Sequence, residues 1–394
     1  MLAFTLFTNV VSPHQLPLAR RLAEHLGEEN YRYLHTERLD GQRRSMGWGE
    51  EAPAWCVATD EENDCLLDCD MLFSELRAEK VFARRLAEGK LTCYVSERWF
   101  KPPLGFLRMF SPAYWRMARQ FAEFLGSPRF FYFPQGIHAA RDMMRIQGLF
   151  KGDLRCLFSA PKVAFESRPG GWIVPLEWAV RNGLLPDEAV RFGKRYGFAR
   201  IPEENWGRAR EHGPWRNYRL WGYFVESAEC RERPASDGRR ILWVGRMLDW
   251  KRVETLIQAL PDGMELNLYG HGPEEPRLRA LANGKANIHF HDFVPIVQVR
   301  ELMRENDVYV LPSDGGEGWG AVLNEALEEG MRVLGTLESG AGATMLAPEW
   351  LFPAGDARLL EKMLSAPIRC GRIGCWSVRH AANYLMDFLQ KNSK

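Results

Sequence analysis

Asp307-Val308-Tyr309-Val310-Leu311-Pro312-Ser313-Asp314-Gly315-Gly316-Glu317-Gly318-Trp319-Gly320-Ala321-Val322-Leu323-Asn324-Glu325 decides how this chain is read. The run from Asp307 to Leu311 has the length and composition of a buried strand, and the Pro and Gly residues after it end that strand. A helix is predicted from Trp319 to Glu329, so the stretch reads as strand, glycine-rich turn and helix. Glu317 stands at the mouth of that helix and Glu325 eight positions on. On a helix that spacing is roughly 12 Å along the axis. Two carboxylates so placed suit hydroxyls at opposite ends of one elongated polar ligand. The glycines leave backbone amides free for an anion at the helix N-terminus. Hydroxyls at each end and a diphosphate between describe a sugar nucleotide. Glu317 near a helix N-terminus also has a purely dipolar explanation.

Around this stretch the C-terminal half alternates strand and helix. Strands are predicted at 241–244, 265–269, 287–291 and 332–336, and helices at 253–260, 275–281 and 297–305. Such alternation predicts a parallel sheet with helices on both faces, whose ligands bind beyond the carboxyl ends of the strands. The loops at that edge carry the informative residues. Gly245 and Arg246 end the first strand, and Lys251 follows five positions after Arg246. A guanidinium that chelates and an ammonium that acts as a point charge suit a diphosphate, and would stabilise the charge growing on a departing one. A solvated surface Arg and Lys is the alternative. Gly270-His271-Gly272-Pro273 is a strand-to-helix turn that permits close backbone approach.

The N-terminal half is less regular. Ala3 to Phe7 is strand-like and His14 to Leu26 helical, with further strand or core candidates at 54–58, 66–73, 90–95 and 130–133. Between 148 and 218 the pattern dissolves apart from one helix candidate at 186–196, which suggests an insertion. The linker candidate is 229–240, rich in charge with Pro and Gly. A last helix is predicted at 376–390.

Bulk properties narrow the classes. At 394 residues two domains are the natural expectation, and a net charge of +1 makes no case for nucleic acid. No apolar run is long enough to span a membrane, and the first ten residues read as a strand rather than a signal peptide. The eight cysteines lack a CxxC pair, which points to reduced thiols and a cytoplasmic location. Asp68-Cys69-Asp70 has the form of a metal-binding DxD motif but lies far from the other candidates, and reads as coincidence. The fourteen tryptophans suit core packing, carbohydrate stacking or a membrane interface.

Four segments in order and register, Val244-Gly245-Arg246-x4-Lys251, Gly270-x-Gly272-Pro273, Asp307-x3-Leu311-Pro312-Ser313 and Glu317-x7-Glu325, resemble the retaining GT-B glycosyltransferases, above all glycosyltransferase family four. The resemblance covers roughly 241–346, with a looser likeness at 221–224 and in the first helix. It implies an α/β fold of two Rossmann-like domains facing a cleft, at 1–225 (with the irregular insertion at about 149–217) and 226–372. A helix at 373–394 would cross back to the first domain. It also implies that Arg246 and Lys251 hold the donor diphosphate, that Glu317 contacts the donor sugar and that Glu325 accepts from the ribose. Gly318, Trp319 and Gly320 would offer backbone amides, while Gly270, Gly272, Pro273, Phe293 and Val294 surround the base. No metal or other cofactor is implied. One departure is plain: the Gly-Gly loop of many relatives is replaced here by Thr8-Asn9-Val10-Val11-Ser12-Pro13-His14.

On the acceptor side, His14, Glu97 and His138 follow candidate strands and are candidates to orient a hydroxyl. From 98 to 122 there is no acidic residue, while five Arg and Lys alternate with aromatic residues. That pattern suits an anionic membrane surface, or a basic helix facing an anionic acceptor or solvent. The reading is a retaining transferase moving a hexose-type sugar from a UDP- or GDP-linked donor to a glycan or lipid-linked acceptor. Its expected setting is bacterial cell-surface polysaccharide or glycoconjugate biosynthesis. The alternatives are a GT-B phosphorylase, a nucleotide-sugar epimerase or a non-catalytic sugar-nucleotide-binding protein.

Overall fold

The computed structural model describes residues 3–36, 53–59, 70–73, 78–152, 172–175, 179, 198–201, 217–226, 231–233, 237–366 and 377–392. They fall into two units, one of residues up to 226 together with 377–392, the other of 231–366. The expected helix at 186–196, Cys65, Asp68 and Cys69 lie outside the described residues.

In the first unit the chain runs β1 (Phe4–Thr8), α1 (Leu16–Leu26), β2 (Tyr31–His35), β3 (Cys56–Ala58), β4 (Met71–Phe73), α2 (Ala78–Ala87), β5 (Thr92–Ser96), α3 (Pro112–Phe124), β6 (Phe130–Pro134) and α4 (Ile137–Phe150). A short antiparallel pair, β7 (Trp172–Pro175) and β8 (Phe198–Ile201), follows within the stretch that gave no clear pattern in sequence. The six parallel strands lie in the order β3-β2-β1-β4-β5-β6, with Leu6 opposite Tyr33 on one side and Met71 on the other. Strands β1, β5 and β6 are buried along their whole length, as strands covered on both faces must be. Helix α1 has Pro in its first turn, buries Leu18, Ala19, Leu22, Ala23 and Leu26 at helical spacing, and stops at Gly27 with φ 83°. Much of the aromatic content is core. Phe82 sits edge-on to Tyr94, Phe121, Phe124 and Phe130 at 5.3–5.9 Å, an arrangement that favours aromatic pairs beyond their burial.

The second unit runs β9 (Arg240–Val244), α5 (Val253–Ala259), β10 (Glu265–Tyr269), α6 (Glu275–Leu281), β11 (Ile288–His291), α7 (Ile296–Glu305), β12 (Val308–Leu311), α8 (Ala321–Glu328), β13 (Arg332–Thr336), α9 (Gly340–Met345), β14 (Leu351–Phe352) and α10 (Ala357–Leu364). Its parallel strands take the order β11-β10-β9-β12-β13-β14. The core is aliphatic: Ile241, Leu256, Ile257, Leu266, Leu268, Val308, Val310 and Leu334 are buried together with Trp243. Helix α5 packs on α6 and α10, while α8 packs on α7 and α9. Asp356 caps α10 by accepting a hydrogen bond from the Leu359 amide at 3.0 Å. Helix α9 was not foreseen, because Gly340-Ala341-Gly342 is poor helix-forming sequence; packing selects it. A Cβ on Gly340 would lie 2.2 Å from the Gly318 carbonyl oxygen.

The last helix, α11 (Val378–Asn392), returns to the first unit. It packs on α1, sets Phe388 edge-on to Phe131 at 4.8 Å, and is tied in by Val378 N–H donating to the Val225 carbonyl at 2.7 Å. Residues 218–225 lead out beside β6 with Tyr218, Leu220 and Trp221 buried.

Candidate functional site

In the second unit every strand is parallel, so all six end at one edge. Consecutive strands β9, β10 and β11 step to one side of β9, and β12 to β14 step to the other. The place where the order reverses is between β9 and β12, where ligands of open α/β sheets bind. Arg246 and Lys251 follow β9, and Glu317 follows β12.

The backbone there is packed too closely for side chains. Gly245 N–H donates to the Tyr269 carbonyl at 3.1 Å and Met247 N–H to that of His271 at 2.9 Å, so the loops after β9 and β10 run on as a pair. A Cβ on Gly270 (φ 123°) would lie 2.1 Å from the Gly245 oxygen, and one on Gly272 would lie 2.3 Å from that of Met247. Both glycines are therefore required by the fold itself, before any ligand is considered. Beyond them, His271 lies 2.9 Å from Glu275 and 3.5 Å from Asp292, joining the Gly270–Pro273 turn to the loop after β11. In that loop Phe293 is exposed and Val294 partly so.

Lys251 and Glu317, 66 residues apart, meet at 2.5 Å. The same Glu317 oxygen accepts from the buried Ser313 hydroxyl at 3.0 Å, and the Lys251 ammonium lies 4.5 Å from the centre of the Trp250 ring. The two turns are sewn together beneath this pair. Asp314 N–H donates to the Trp250 carbonyl at 2.9 Å, and a Cβ on Gly316 would press within 2.8 Å of the Trp250 Cβ. Trp250 was not singled out in the sequence, and Ser313 only as the end of the Asp307-x3-Leu311-Pro312-Ser313 segment, with no role given to it. Ser313 stands four positions before Glu317, a spacing that could have marked it. Arg246, by contrast, is exposed and has no ion-pair partner among the described residues.

The helix does not begin where periodicity placed it. Helix α8 starts at Ala321 after Gly320, whose φ of 95° ends the turn. Glu317 therefore lies in the turn and not on the helix, and the 12 Å helical spacing to Glu325 does not apply. Trp319 is buried and turned inward: its indole N–H donates to Asn324 Oδ1 at 2.8 Å, and its carbonyl accepts from Ala341 N–H at 2.8 Å. Its ring anchors the turn from below, between Gly318 and Gly320. Glu325, on α8 and still partly exposed at its surface, has its carboxyl pushed up to about 7 by the packing around it and by the Glu328 charge, against the opposing pull of Arg300. Burial and the charges of Glu317 and Glu325 also raise the phenol of Tyr309.

In the first unit the candidates follow three strands of one parallel sheet: His14 after β1, Glu97 after β5 and His138 in the first turn of α4 after β6. The structure does not join them into one cluster comparable to the Lys251–Glu317 pair. The His14 ring lies 5.7 Å from that of Tyr223, and Glu97 is ion-paired with Lys101. Asp70, the last residue of the DxD-like triplet, accepts from Thr5 N–H at 3.1 Å and from the buried Arg85 at 2.9 Å, which is a structural role. No group of three or more His, Cys, Asp or Glu that could hold a metal gathers among the described residues.

Residues 238–366 match the family described as Glycosyl transferases group 1. A phosphatidyl-myo-inositol mannosyltransferase of Mycobacterium leprae (strain TN) is 33% identical over 142 residues, which is 34% of this chain and 38% of that relative. The chain thus aligns with well under half of that relative's length. Among the solved structures similar over nearly the whole chain are the following two. The Anabaena protein Alr3699/HepE, solved with UDP, has a TM-score of 0.55 at 12% identity and covers 99% of this chain and 100% of its own. Sucrose-phosphate synthase from Thermosynechococcus elongatus has a TM-score of 0.52 at 15% identity and covers 99% of both chains. At such identities these likenesses show the fold alone. Residues 238–366 are thus similar to the glycosyl transferases group 1, and the chain has the GT-B fold, two parallel α/β units with a C-terminal helix returning to the first.

Proposed function

We propose that this protein is a retaining glycosyltransferase. It moves a sugar from a UDP- or GDP-linked donor to the hydroxyl of a glycan or lipid-linked acceptor, in the assembly of a cell-surface polysaccharide or glycoconjugate. The observation that carries this reading is the meeting of Lys251 with Glu317 where the strand order reverses, with Arg246 at the same edge. The mannosyltransferase relative and the UDP held by the Anabaena protein point the same way.

In the reaction the bond between the anomeric carbon and the diphosphate oxygen breaks as the acceptor oxygen bonds to the same face of that carbon. The acceptor proton leaves with the nucleoside diphosphate. Arg246 and Lys251 stabilise the charge that develops on the leaving group, and the reading requires no metal for that purpose. Lys251 is held in place by Glu317 before donor arrives, so its ammonium does not have to be gathered from solvent. Glu317 then serves the sugar hydroxyls and Glu325 the ribose. A carboxyl near neutrality in its pKa can accept from or donate to that hydroxyl.

A thermal-shift panel of UDP- and GDP-sugars tests the donor, since a bound nucleotide stabilises the folded state by about 2.7 kcal/mol at a hundredfold excess over Kd. One donor should raise the melting temperature, and its product with acceptor should keep the anomeric configuration in the presence of EDTA. A panel without any shift removes the donor site, an inverted product removes the retaining mechanism, and full loss in EDTA removes the metal-free step.

A further inference from the structure

Six large apolar side chains are exposed among the described residues, and four of them, Leu104, Leu107, Phe110 and Trp115, fall within twelve positions. Three have a common geometric origin. Residues Gly105–Phe110 form a 3-10 helix preceded by Leu104 as its cap. With three residues per turn, positions three apart stand one above another. Leu104, Leu107 and Phe110 are therefore one stripe, 56%, 61% and 85% exposed. The other side of the same helix is fixed to the unit. Met109 is buried, and Phe106 packs on Phe100 at 4.8 Å with the Arg145 guanidinium 4.1 Å from its ring centre. The stripe is held outward on a rigid support. Trp115, in the first turn of α3, rests on Phe150 at 4.9 Å and stays 41% exposed.

Along this span of the chain the charge has one sign, and of its cations Arg98 is paired with the buried Asp142 at 3.5 Å. Residues 98–122 hold Arg98, Lys101, Arg108, Arg116 and Arg119 and no carboxylate. The acids at either end of that span are engaged, Glu97 by Lys101 and Glu123 by Arg119. Arg108 and Arg116 have no carboxylate partner among the described residues, and Arg116 is exposed. An apolar stripe of this kind in water is the mark of a partner, and a cationic rim selects a partner that is both apolar and anionic.

We propose that Leu104, Leu107, Phe110 and Trp115, rimmed by Arg108 and Arg116, form a docking face that enters the headgroup region of an anionic bilayer. The proposal is independent of the donor-site reading, although it suits a lipid-linked acceptor. Each cation near such a surface contributes about fivefold to binding, and burying the apolar stripe contributes more than tenfold.

The test is sedimentation of the full chain with vesicles of phosphatidylcholine alone and of phosphatidylcholine with phosphatidylglycerol. Wild type should partition onto the anionic vesicles, and less so as salt is raised. The double variant Leu107→Ser/Phe110→Ser should lose at least tenfold, and Arg108→Gln/Arg116→Gln roughly twentyfold or less. Thermal unfolding of each variant checks that the fold is retained. No binding by wild type, or equal binding by wild type and both variants, overturns the proposal. So does a concentration-dependent dimer that Leu107→Ser/Phe110→Ser dissolves without any vesicle binding, since a second copy would then be the occupant. The thermal shift with nucleotide sugars, measured on the same proteins, reports separately on the donor site.

Discussion

The first unit's sheet, β3-β2-β1-β4-β5-β6, and the second unit's, β11-β10-β9-β12-β13-β14, follow one plan: third, second, first, fourth, fifth, sixth. At the reversal point of the second, Lys251 after β9 and Glu317 after β12 are in contact, with Ser313 beneath them. At the corresponding place in the first, His14 after β1 lies against Tyr223, while Glu97 and His138 follow β5 and β6, further along the edge. The same topology thus supplies a carboxyl edge in both units, and the loops decide what chemistry stands on it. Where two loops are sewn together, as Trp250 is to Asp314 and Gly316, a charged pair can be positioned to within a hydrogen bond. In the first unit Glu97 is paired with Lys101, four positions on, and His14 lies against Tyr223.

The largest effect should come from breaking the Lys251–Glu317 pair. Lys251→Ala is expected to lower kcat by about a hundredfold to a thousandfold with a smaller change in KM for the donor. An equal loss in His14→Ala would put the two edges on a par, and a wild-type rate in Lys251→Ala would remove it from the leaving-group role.

Glycine substitutions sharpen the contrast next. Gly270→Ala combines a positive φ with a carbonyl oxygen 2.1 Å from the new Cβ, so we expect a loss of about 3 kcal/mol in urea unfolding. Gly89 in the first unit has φ 69° and nothing within 4 Å, and Gly89→Ala should cost only the backbone term, about 1–2 kcal/mol. Equal costs would mean that the close approach of the β9 and β10 loops has slack.

The smallest effect concerns Glu325. Its folded-state pKa is raised to about 7, so the folded protein holds a proton that the unfolded chain has released. The contribution is fully present below the ordinary glutamate range and is lost as pH rises through about 7. Glu325→Gln should therefore be more stable than wild type at pH 8, by about 2 kcal/mol, and similar to it near pH 4. A wild type that gains on the variant between these pH values would show a charged, paired carboxylate, and would end the argument from burial.

The strands and helices of the second unit were largely legible because parallel strands there alternate regularly with helices, and helix 275–281 and strands 265–269 and 332–336 were read to the residue. The start of α8 was misplaced because Trp319 looks like the first apolar position of a helix. Its ring is in fact buried by the turn and held by Asn324. In the first unit β3 and β4 fall within the candidates at 54–58 and 66–73, but at three residues they are too short to show a period, and β1 and β2 offer them a ladder. For any single tryptophan the sequence favours packing, and Trp99, Trp221, Trp243 and Trp319 are buried, while among the described residues Trp115 is exposed.

By itself the sequence determined the alternating architecture, the residues at the carboxyl edge of the second sheet, and the run of cations without acids at 98–122. These are local patterns, set by periodicity, turn chemistry and charge along the chain. Only the tertiary structure decided that Lys251 reaches Glu317, that Gly270 is required by the Gly245 carbonyl, and that Leu104, Leu107 and Phe110 face outward. Each of those depends on which segments distant in the chain lie side by side, and strand order and packing fix that.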